Sequence, residues 1–407
     1  MVWVTEQRPT ANELAACVQC GLCLPHCPTF RLTGLETASP RGRLAAMNAV
    51  NDGVIPIDEV FQDVMSFCLN CRACEAVCPS LVPFGRAMEG ARAELTAQIP
   101  STARRLRHFL LGRVLPSPRL MAVITTGVRL LQRSRAARLF PAGIRRNFGG
   151  IRLITRTKTL AGRTFEPTTS LRGTVGLLNG CVMGPWFTRV HTATIGVLTA
   201  AGYRVVVPAS QTCCGALAAH DGAADAATRL AGTNFAAFNG ADLIVADAAG
   251  CSAHLKEYER WVPGGEELAA RVRDVTELVA DLIMGGALPS SSIDRGPVAI
   301  QDPCHLRHAQ RIFAAPRQLL TAAGYRPVEV DPDGLCCGAA GIYSLLEPEA
   351  SAELGRRKAA QVKATGSTLV ASANPGCEMQ LRSYLDNWHR IVHPIELYHE
   401  SVIGPVS

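Results

Sequence analysis

The 407 residues carry 48% apolar and 18% charged side chains, which excludes a mainly disordered chain. At roughly 100–200 residues per domain, the length predicts two to four domains. The longest uncharged apolar run, Leu120–Val128, falls well short of a membrane span of about 20 residues. Near the start stand Glu6 and Glu13, with no apolar core and no arginine pair, so neither a span nor export is expected and the chain reads as cytoplasmic.

Sixteen cysteines dominate the composition. Without export they are expected as reduced thiols, which favours metal or redox chemistry over disulfides. The first eight form one pattern written twice: Cys17-x2-Cys20-x2-Cys23-x3-Cys27-Pro28 and Cys68-x2-Cys71-x2-Cys74-x3-Cys78-Pro79. Three thiolates at this spacing can wrap one face of a cubane iron–sulfur cluster. The fourth, ahead of proline, ligates the other cluster when two motifs pair. This assigns Cys17, Cys20, Cys23 and Cys78 to one 4Fe–4S cluster and Cys68, Cys71, Cys74 and Cys27 to a second. Zinc, the competing reading, usually takes its four ligands as two separated pairs and fits this run poorly.

Between the motifs, Leu44–Val50 reads as a helix, and Ile57–Phe67 carries apolar residues at 57, 60, 61, 64 and 67, a helical stripe. Arg41 and Arg43 could place positive charge near a cluster or simply start a solvated helix.

The second octet is also a repeat. Cys181 and Cys213 are separated by the same interval as Cys304 and Cys336. Each half then has an adjacent pair with glycine, Cys213-Cys214-Gly215 and Cys336-Cys337-Gly338, and a last cysteine after a small-residue turn, Cys251 and Cys377. Leu198–Arg204 recurs letter for letter as Leu320–Arg326, and Arg172-Gly173 as Arg295-Gly296. These are duplicated units of roughly 120 residues. In each, short aliphatic runs alternate with helical stretches such as Thr188–Ala201 and Ala223–Phe238. The runs are Thr174–Leu178, Tyr203–Val207 and Asp242–Ala246, then Val298–Ile300, Pro327–Val330 and Thr368–Ala371. That order predicts parallel sheets. The cysteines follow the strands, at the carboxyl edge where ligands collect. Two convergent sets are therefore expected, each a candidate metal or redox site: Cys181, Cys213, Cys214 and Cys251, and Cys304, Cys336, Cys337 and Cys377. Inert core cysteine is the competing reading.

Paired cubane motifs followed by two CCG units resemble the CCG-domain iron–sulfur oxidoreductases. These include the iron–sulfur subunits of glycolate oxidase, lactate-utilisation enzymes and anaerobic glycerol-3-phosphate dehydrogenase, and the heterodisulfide reductases. Pro40–Arg43, Cys304–Gln310, Cys336–Tyr343 and Gly250-Cys251 with Lys256–Tyr258 are most similar to glycolate oxidase. The resemblance implies a multidomain α+β chain. A helical ferredoxin-type domain with two 4Fe–4S motifs (1–98) precedes a basic helical linker (99–172) and two CCG units (173–290 and 291–407). It further implies a peripheral membrane complex on the cytoplasmic face of the inner membrane. There, partner flavoprotein subunits carrying FAD oxidise glycolate to glyoxylate, and this chain passes electrons towards quinone without catalytic residues of its own. A lactate- or glycerol-3-phosphate-oxidising complex, or a heterodisulfide-type reductase, is the alternative. One departure stands out. Heterodisulfide reductases end each CCG unit in C-x2-C, whereas here His254 follows Cys251 and Gln380 follows Cys377. Imidazole can ligate iron; a carboxamide is a poor ligand.

Residues 101–172 hold sixteen Lys or Arg and one acid, Glu166. This segment carries +15 in a chain of net +7, so the remainder is acidic. Amphipathic helix pieces broken by Pro116, Pro118 and Pro141 are expected, as a solvated connector or as a surface that docks on an acidic partner or anionic lipid. Nucleic-acid binding is not expected, since only Phe109, Phe140, Phe148 and Phe165 could stack on bases. No G-x-G-x-x-G follows a predicted strand, so no dinucleotide site is evident. His191, His220, His254, His305 and His308 lie near cysteines and read as rim residues, ligands or proton carriers. Two other classes remain open: a self-contained disulfide or persulfide reductase, and a zinc-stapled scaffold.

Overall fold

A computed structural model describes residues 3–134, 149–154 and 159–405. The N-terminal part is helical: Ala11–Ala15, Pro28–Thr33, Pro40–Asn51, Glu59–Ser66, Ala73–Ala76 and Phe84–Gln98. Local chemistry starts these helices. Thr10 and Glu13 form a capping box, Ser39 accepts from the Gly42 amide ahead of Pro40, and Asp58 accepts from the Phe61 amide. Their inward faces bury Leu14, Leu44, Met47, Phe61, Met65 and Met88 in one core. The Asp58 cap sets a register that turns Phe61 and Met65 inward and leaves Val60 at 71% exposure. The predicted stripe therefore holds only in part.

Two α/β units follow. The first sheet contains β1 (Arg163–Phe165), β2 (Gly173–Leu177), β3 (Tyr203–Val207), β4 (Leu243–Ala246) and β5 (Val272–Asp274), in the order β1-β3-β2-β4-β5. The second contains β6 (Pro297–Gln301), β7 (Arg326–Glu329), β8 (Leu369–Ser372) and β9 (Arg390–Val392), in the order β7-β6-β8-β9. All pairs are parallel except β1 with β3, so the expectation of a wholly parallel sheet fails at that edge. Every predicted strand is present. The short strands β1, β5 and β9 escaped prediction because three residues carry no readable period.

The repeated strings have a local cause. Each helix ends on a left-handed glycine, Gly202 at φ +94° and Gly324 at φ +86°, where a side chain would strain the backbone. The carbonyls of these glycines accept from the Arg172 amide (2.7 Å) and the Arg295 amide (2.8 Å). The repeated Arg-Gly and the repeated glycine are thus two sides of one turn. The halves do not fold around separate interiors. Val175, Leu198, Val245 and Val279 share one core with Leu319, Ile395 and Tyr398.

The basic segment is strapped to this body. It forms helices Thr102–Phe109 and Pro118–Arg133 joined through a wide turn at Leu110–Val114. Arg104 donates to the Ile99 carbonyl (2.9 Å), Arg107 pairs with Asp221 (2.6 Å), and Trp186 donates to Thr125 (3.0 Å). Pro141 lies outside the described residues. Arg152 is bidentate to Glu396 (2.8 and 2.7 Å) and also pairs with the buried Glu378.

Removing one partner of a buried ion pair leaves an uncompensated charge. Arg152→Met is therefore expected to lower unfolding free energy by about 3 kcal/mol, read by chemical denaturation. A loss below about 1 kcal/mol, typical of surface pairs, would contradict this packing.

Candidate iron–sulfur and CCG sites

The two N-terminal motifs are wound alike. The residue before the second cysteine is left-handed in each, Gln19 at φ +54° and Asn70 at φ +51°, and so is the residue after it, Gly21 at φ +84° and Arg72 at φ +61°. Non-glycine residues rarely adopt this conformation. Finding it at matching positions marks loops held in shape by function. Winding turns amides towards sulfur: the Asn70 amide lies 3.3 Å from Cys68 Sγ.

One recess is lined by Cys17, Cys20, Cys23 and Cys78, with Cys74 also in its wall. The structure thus gathers the first predicted ligand set, including the cysteine borrowed from the second motif. Cys20 is exposed, and Val18 (69%), Leu22 (55%) and Leu81 (70%) stand exposed around the opening. Burial pushes the Cys23 thiol up to about 11, against a hydrogen bond from the Arg41 backbone.

The second predicted set, Cys27, Cys68, Cys71 and Cys74, is buried throughout. Burial pushes Cys71 and Cys74 well up, and mutual repulsion with Cys27 and Cys68 adds to it. Such thiols ionise readily only beside compensating positive charge, which iron supplies. Arg43 is a correction to the solvated-helix reading. It is fully buried and donates to the Val64 carbonyl (2.9 Å), Thr29 Oγ1 (3.2 Å) and the Ala38 carbonyl (2.7 Å). Thr29 Oγ1 in turn lies 3.3 Å from Cys27 Sγ, so Arg43 braces a predicted ligand.

In each CCG quartet the thiols lie close enough to shift one another's ionisation: Cys181, Cys213, Cys214 and Cys251 in the first, and Cys304, Cys336, Cys337 and Cys377 in the second. Cys214 Sγ lies 3.3 Å from Cys251 Sγ. Interaction with Cys181 and Cys214 holds Cys213 well below the ordinary thiol range, and interaction with Cys336 and Cys377 does so for Cys337. Among the described residues, no group of three or more His, Cys, Asp or Glu could hold one metal ion.

The second cubane motif lies against the second CCG quartet. Leu69, Cys71 and Ala73 pack with Cys336, Tyr343 and Leu354, and Cys304 is partly buried against them. Tyr343 Oη donates to the Phe67 carbonyl (3.2 Å). The motif also docks on the first CCG unit, through residues that carry no sequence signal because each reaches across more than a hundred positions. Arg92 donates to the carbonyls of Met65 (2.9 Å) and His220 (2.7 Å). Glu89 joins His220 (2.8 Å) to Arg260 (2.8 Å). Arg72 bridges Glu75 (2.6 Å) and Glu257.

The histidines divide. His191 is locked between Asp247 (2.6 Å) and the Asn179 carbonyl (3.0 Å), and His308 bonds the Gly334 carbonyl (2.9 Å); these hold the fold. His305 Nδ1 lies 3.5 Å from Cys304 Sγ. The His220 ring is 5.1 Å from that of His305 and 6.5 Å from that of His254.

Comparison with known proteins agrees with this architecture. Residues 13–82 match the 4Fe-4S dicluster domain, and residues 175–256 and 298–382 match the cysteine-rich CCG domain. Over 97% of this chain and 96% of the other, the sequence is 34% identical to the probable glycolate oxidase iron-sulfur subunit of Bacillus subtilis. The chain belongs to the glycolate oxidase iron–sulfur subunit family. The subunit of that name from Escherichia coli is 29% identical over 93% of each chain. Lactate utilization protein A of Oceanobacillus iheyensis is 28% identical over 51% of this chain and 87% of its own length. The family carries iron–sulfur clusters as cofactors and is a component of an oxidoreductase complex.

The ligand crossover makes a sharp prediction. Cys27→Ser should abolish the same EPR signal as Cys71→Ser, and Cys78→Ser the same signal as Cys20→Ser, each with loss of up to about four irons. If Cys27→Ser instead pairs with Cys20→Ser, each motif closes on itself.

Proposed function

We propose that this chain is the electron-transfer subunit of a glycolate-oxidising complex, with the flavin and the substrate base on partner flavoprotein subunits and a membrane quinone as acceptor. The observation that carries the reading is the packing of Cys71 against Cys304 and Cys336. It sets two of the predicted cysteine groups side by side in one interior. Oxidising glycolate to glyoxylate releases two electrons and two protons, whereas a bound cluster carries one electron per step. A flavin bridges that mismatch. Cys17, Cys20, Cys23 and Cys78 would hold the outer cluster and Cys27, Cys68, Cys71 and Cys74 the inner one. Each CCG quartet would hold a further centre.

The chain's own residues fit these roles. The exposed rim of Val18, Leu22 and Leu81 offers an apolar docking face at the outer site. The buried second motif excludes water, and amide-to-sulfur bonds such as that of Asn70 tune potential. The electron-transfer reading predicts no glycolate oxidation by the isolated chain. In the assembled complex, Cys20→Ser should leave flavin reduction by glycolate intact while cutting quinone reduction at least tenfold in stopped-flow assays. Undiminished quinone reduction by that variant would refute it.

Peripheral attachment to an anionic bilayer is the second part of the proposal. No helix among the described residues is long and apolar enough to cross a membrane. The helix Pro118–Arg133 instead turns Leu120, Val123, Ile124 and Leu130 outward, and the preceding turns expose Leu106, Phe109 and Leu110. Arg105, Arg113, Arg119 and Arg133 are exposed beside them. Outward apolar stripes flanked by arginines, with no acid between Glu94 and Glu166, suit an anionic lipid interface rather than water. Val123→Glu with Ile124→Glu is expected to reduce cosedimentation with phosphatidylglycerol-containing vesicles at least tenfold, and neutral phosphatidylcholine vesicles should bind poorly throughout. Unchanged sedimentation of the double variant would reject bilayer docking and leave an acidic protein partner as the occupant.

A further inference from the structure

The two CCG units place different side chains against equivalent turns. Each cysteine pair runs into a left-handed glycine, Gly215 at φ +97° and Gly338 at φ +88°. Three residues after the last cysteine of each quartet, on the same helix face, stand His254 in the first unit and Gln380 in the second. A Cβ built on Gly215 would lie 3.2 Å from His254 Nε2, and one built on Gly338 would lie 3.2 Å from Gln380 Nε2. The positions correspond, but the chemistry does not.

The amide nitrogen of Gln380 is engaged. Its Nε2 donates to the Ser351 carbonyl (3.1 Å) and to Ser351 Oγ (3.2 Å), and Ser351 Oγ donates to the Gly338 carbonyl (2.8 Å). It is a clamp on the turn. His254 is 3% exposed, and its Nε2 is buried without a hydrogen-bond partner among the described residues. Its ring is walled by Tyr258 at 5.7 Å, Trp261 at 5.6 Å and His220 at 6.5 Å between centroids. Tyr258 cannot serve it, since the hydroxyl donates to the Cys214 carbonyl (2.7 Å) and accepts from Asn234 Nδ2 (3.0 Å). Burial pushes His254 down to about 4, so the imidazole is neutral near pH 7. A neutral, dry, unpartnered imidazole nitrogen beside a Cys-Cys-Gly turn with four converged thiols is what an iron ligand looks like before the iron is counted.

We propose that His254 Nε2 ligates iron in the first CCG unit, giving a mixed imidazole–thiolate centre with Cys181, Cys213, Cys214 and Cys251, while the second unit binds through thiolates alone. This rests on the reading of the chain as an iron–sulfur carrier. An imidazole at this position holds the centre at a higher potential than a thiolate there would, because it adds no negative charge.

The test is pulsed EPR on the full chain, purified anaerobically in its complex, with and without 15N-labelled histidine. A strong nitrogen coupling that changes isotope pattern on labelling is expected. His254→Gln, which copies the residue of the second unit, should erase that coupling and leave the N-terminal cluster signals intact. His254→Cys should keep the centre, lose the coupling and lower its potential in a redox titration. A coupling and potential unmoved by both variants would overturn the proposal, as would an iron content of about eight with only two cluster signals. Loss of the two N-terminal signals from unmodified protein would be a different failure, that of the carrier reading itself.

Discussion

Arg92 is the interaction on which the arrangement of the sites depends. Its half-buried guanidinium reaches the carbonyls of Met65, Ser66 and Cys68 in the second cubane loop and of His220 in the first CCG unit. Burial opposes its charge, yet among the described residues no carboxylate forms an ion pair with it. Peptide dipoles stand in for one, and a planar fork can engage several carbonyls at once. The backbone closes round it: a Cβ on Gly222 would lie 2.3 Å from the Arg92 carbonyl. Arg72, Glu257, Arg260 and Glu89 extend the same seam. The seam fixes the second cubane motif against the first CCG unit, which shares a core with the second, while Cys336 and Tyr343 pack on the motif directly, so the position of one cysteine group relative to the next is set by contacts across the fold rather than by a linker.

That geometry limits what sequence alone could yield. Ligand chemistry was legible because it is local: a C-x2-C-x2-C-x3-C-P run must wrap something, and the left-handed Gln19 and Asn70 show how the wrapping is done. The duplication was legible because identical strings solve identical turn problems, as at Gly202 and Gly324. The seam was not legible. Arg92, Glu89 and His220 look like surface residues in sequence, and only the docking of distant elements buries Glu89 and half-buries the other two. Arg43 was half legible. Its Pro-Arg-Gly-Arg string left open a charge near a cluster or a solvated helix start, and the fold drives it inward to brace Cys27 through Thr29.

The basic segment illustrates a mixed outcome. Its charge excess was plain from counting, but its charges do two jobs. Arg104, Arg107 and Arg152 turn inward to carbonyls and carboxylates of the folded body. Arg105, Arg113, Arg119 and Arg133 turn outward beside an apolar stripe. Net charge cannot separate the two groups; helix register can, because the inward side of Pro118–Arg133 is fixed by Met121, Val128 and the Thr125–Trp186 bond. What remains outside is apolar without an internal partner, which is the arrangement that calls for an external surface.

Duplication explains how one chain can hold two similar sites with different properties. The units share a core, so neither can drift without the other. Their adjoining helix starts are joined directly, by the Ala249 amide to the Ala373 carbonyl (3.1 Å) and the Gly250 amide to Asn374 Oδ1 (3.2 Å). Within that common frame a single side chain can change a site without moving it. Gln380 ties its turn through Ser351, whereas in the first unit Tyr258 and Asn234 hold the Cys214 and Cys213 carbonyls and His254 is not needed for it. The shared frame thus carries the structural demand, which frees position 254 for chemistry. A relay needs its centres fixed in space yet unequal in potential, and two copies of one rigid unit differing at one donor position meet both requirements.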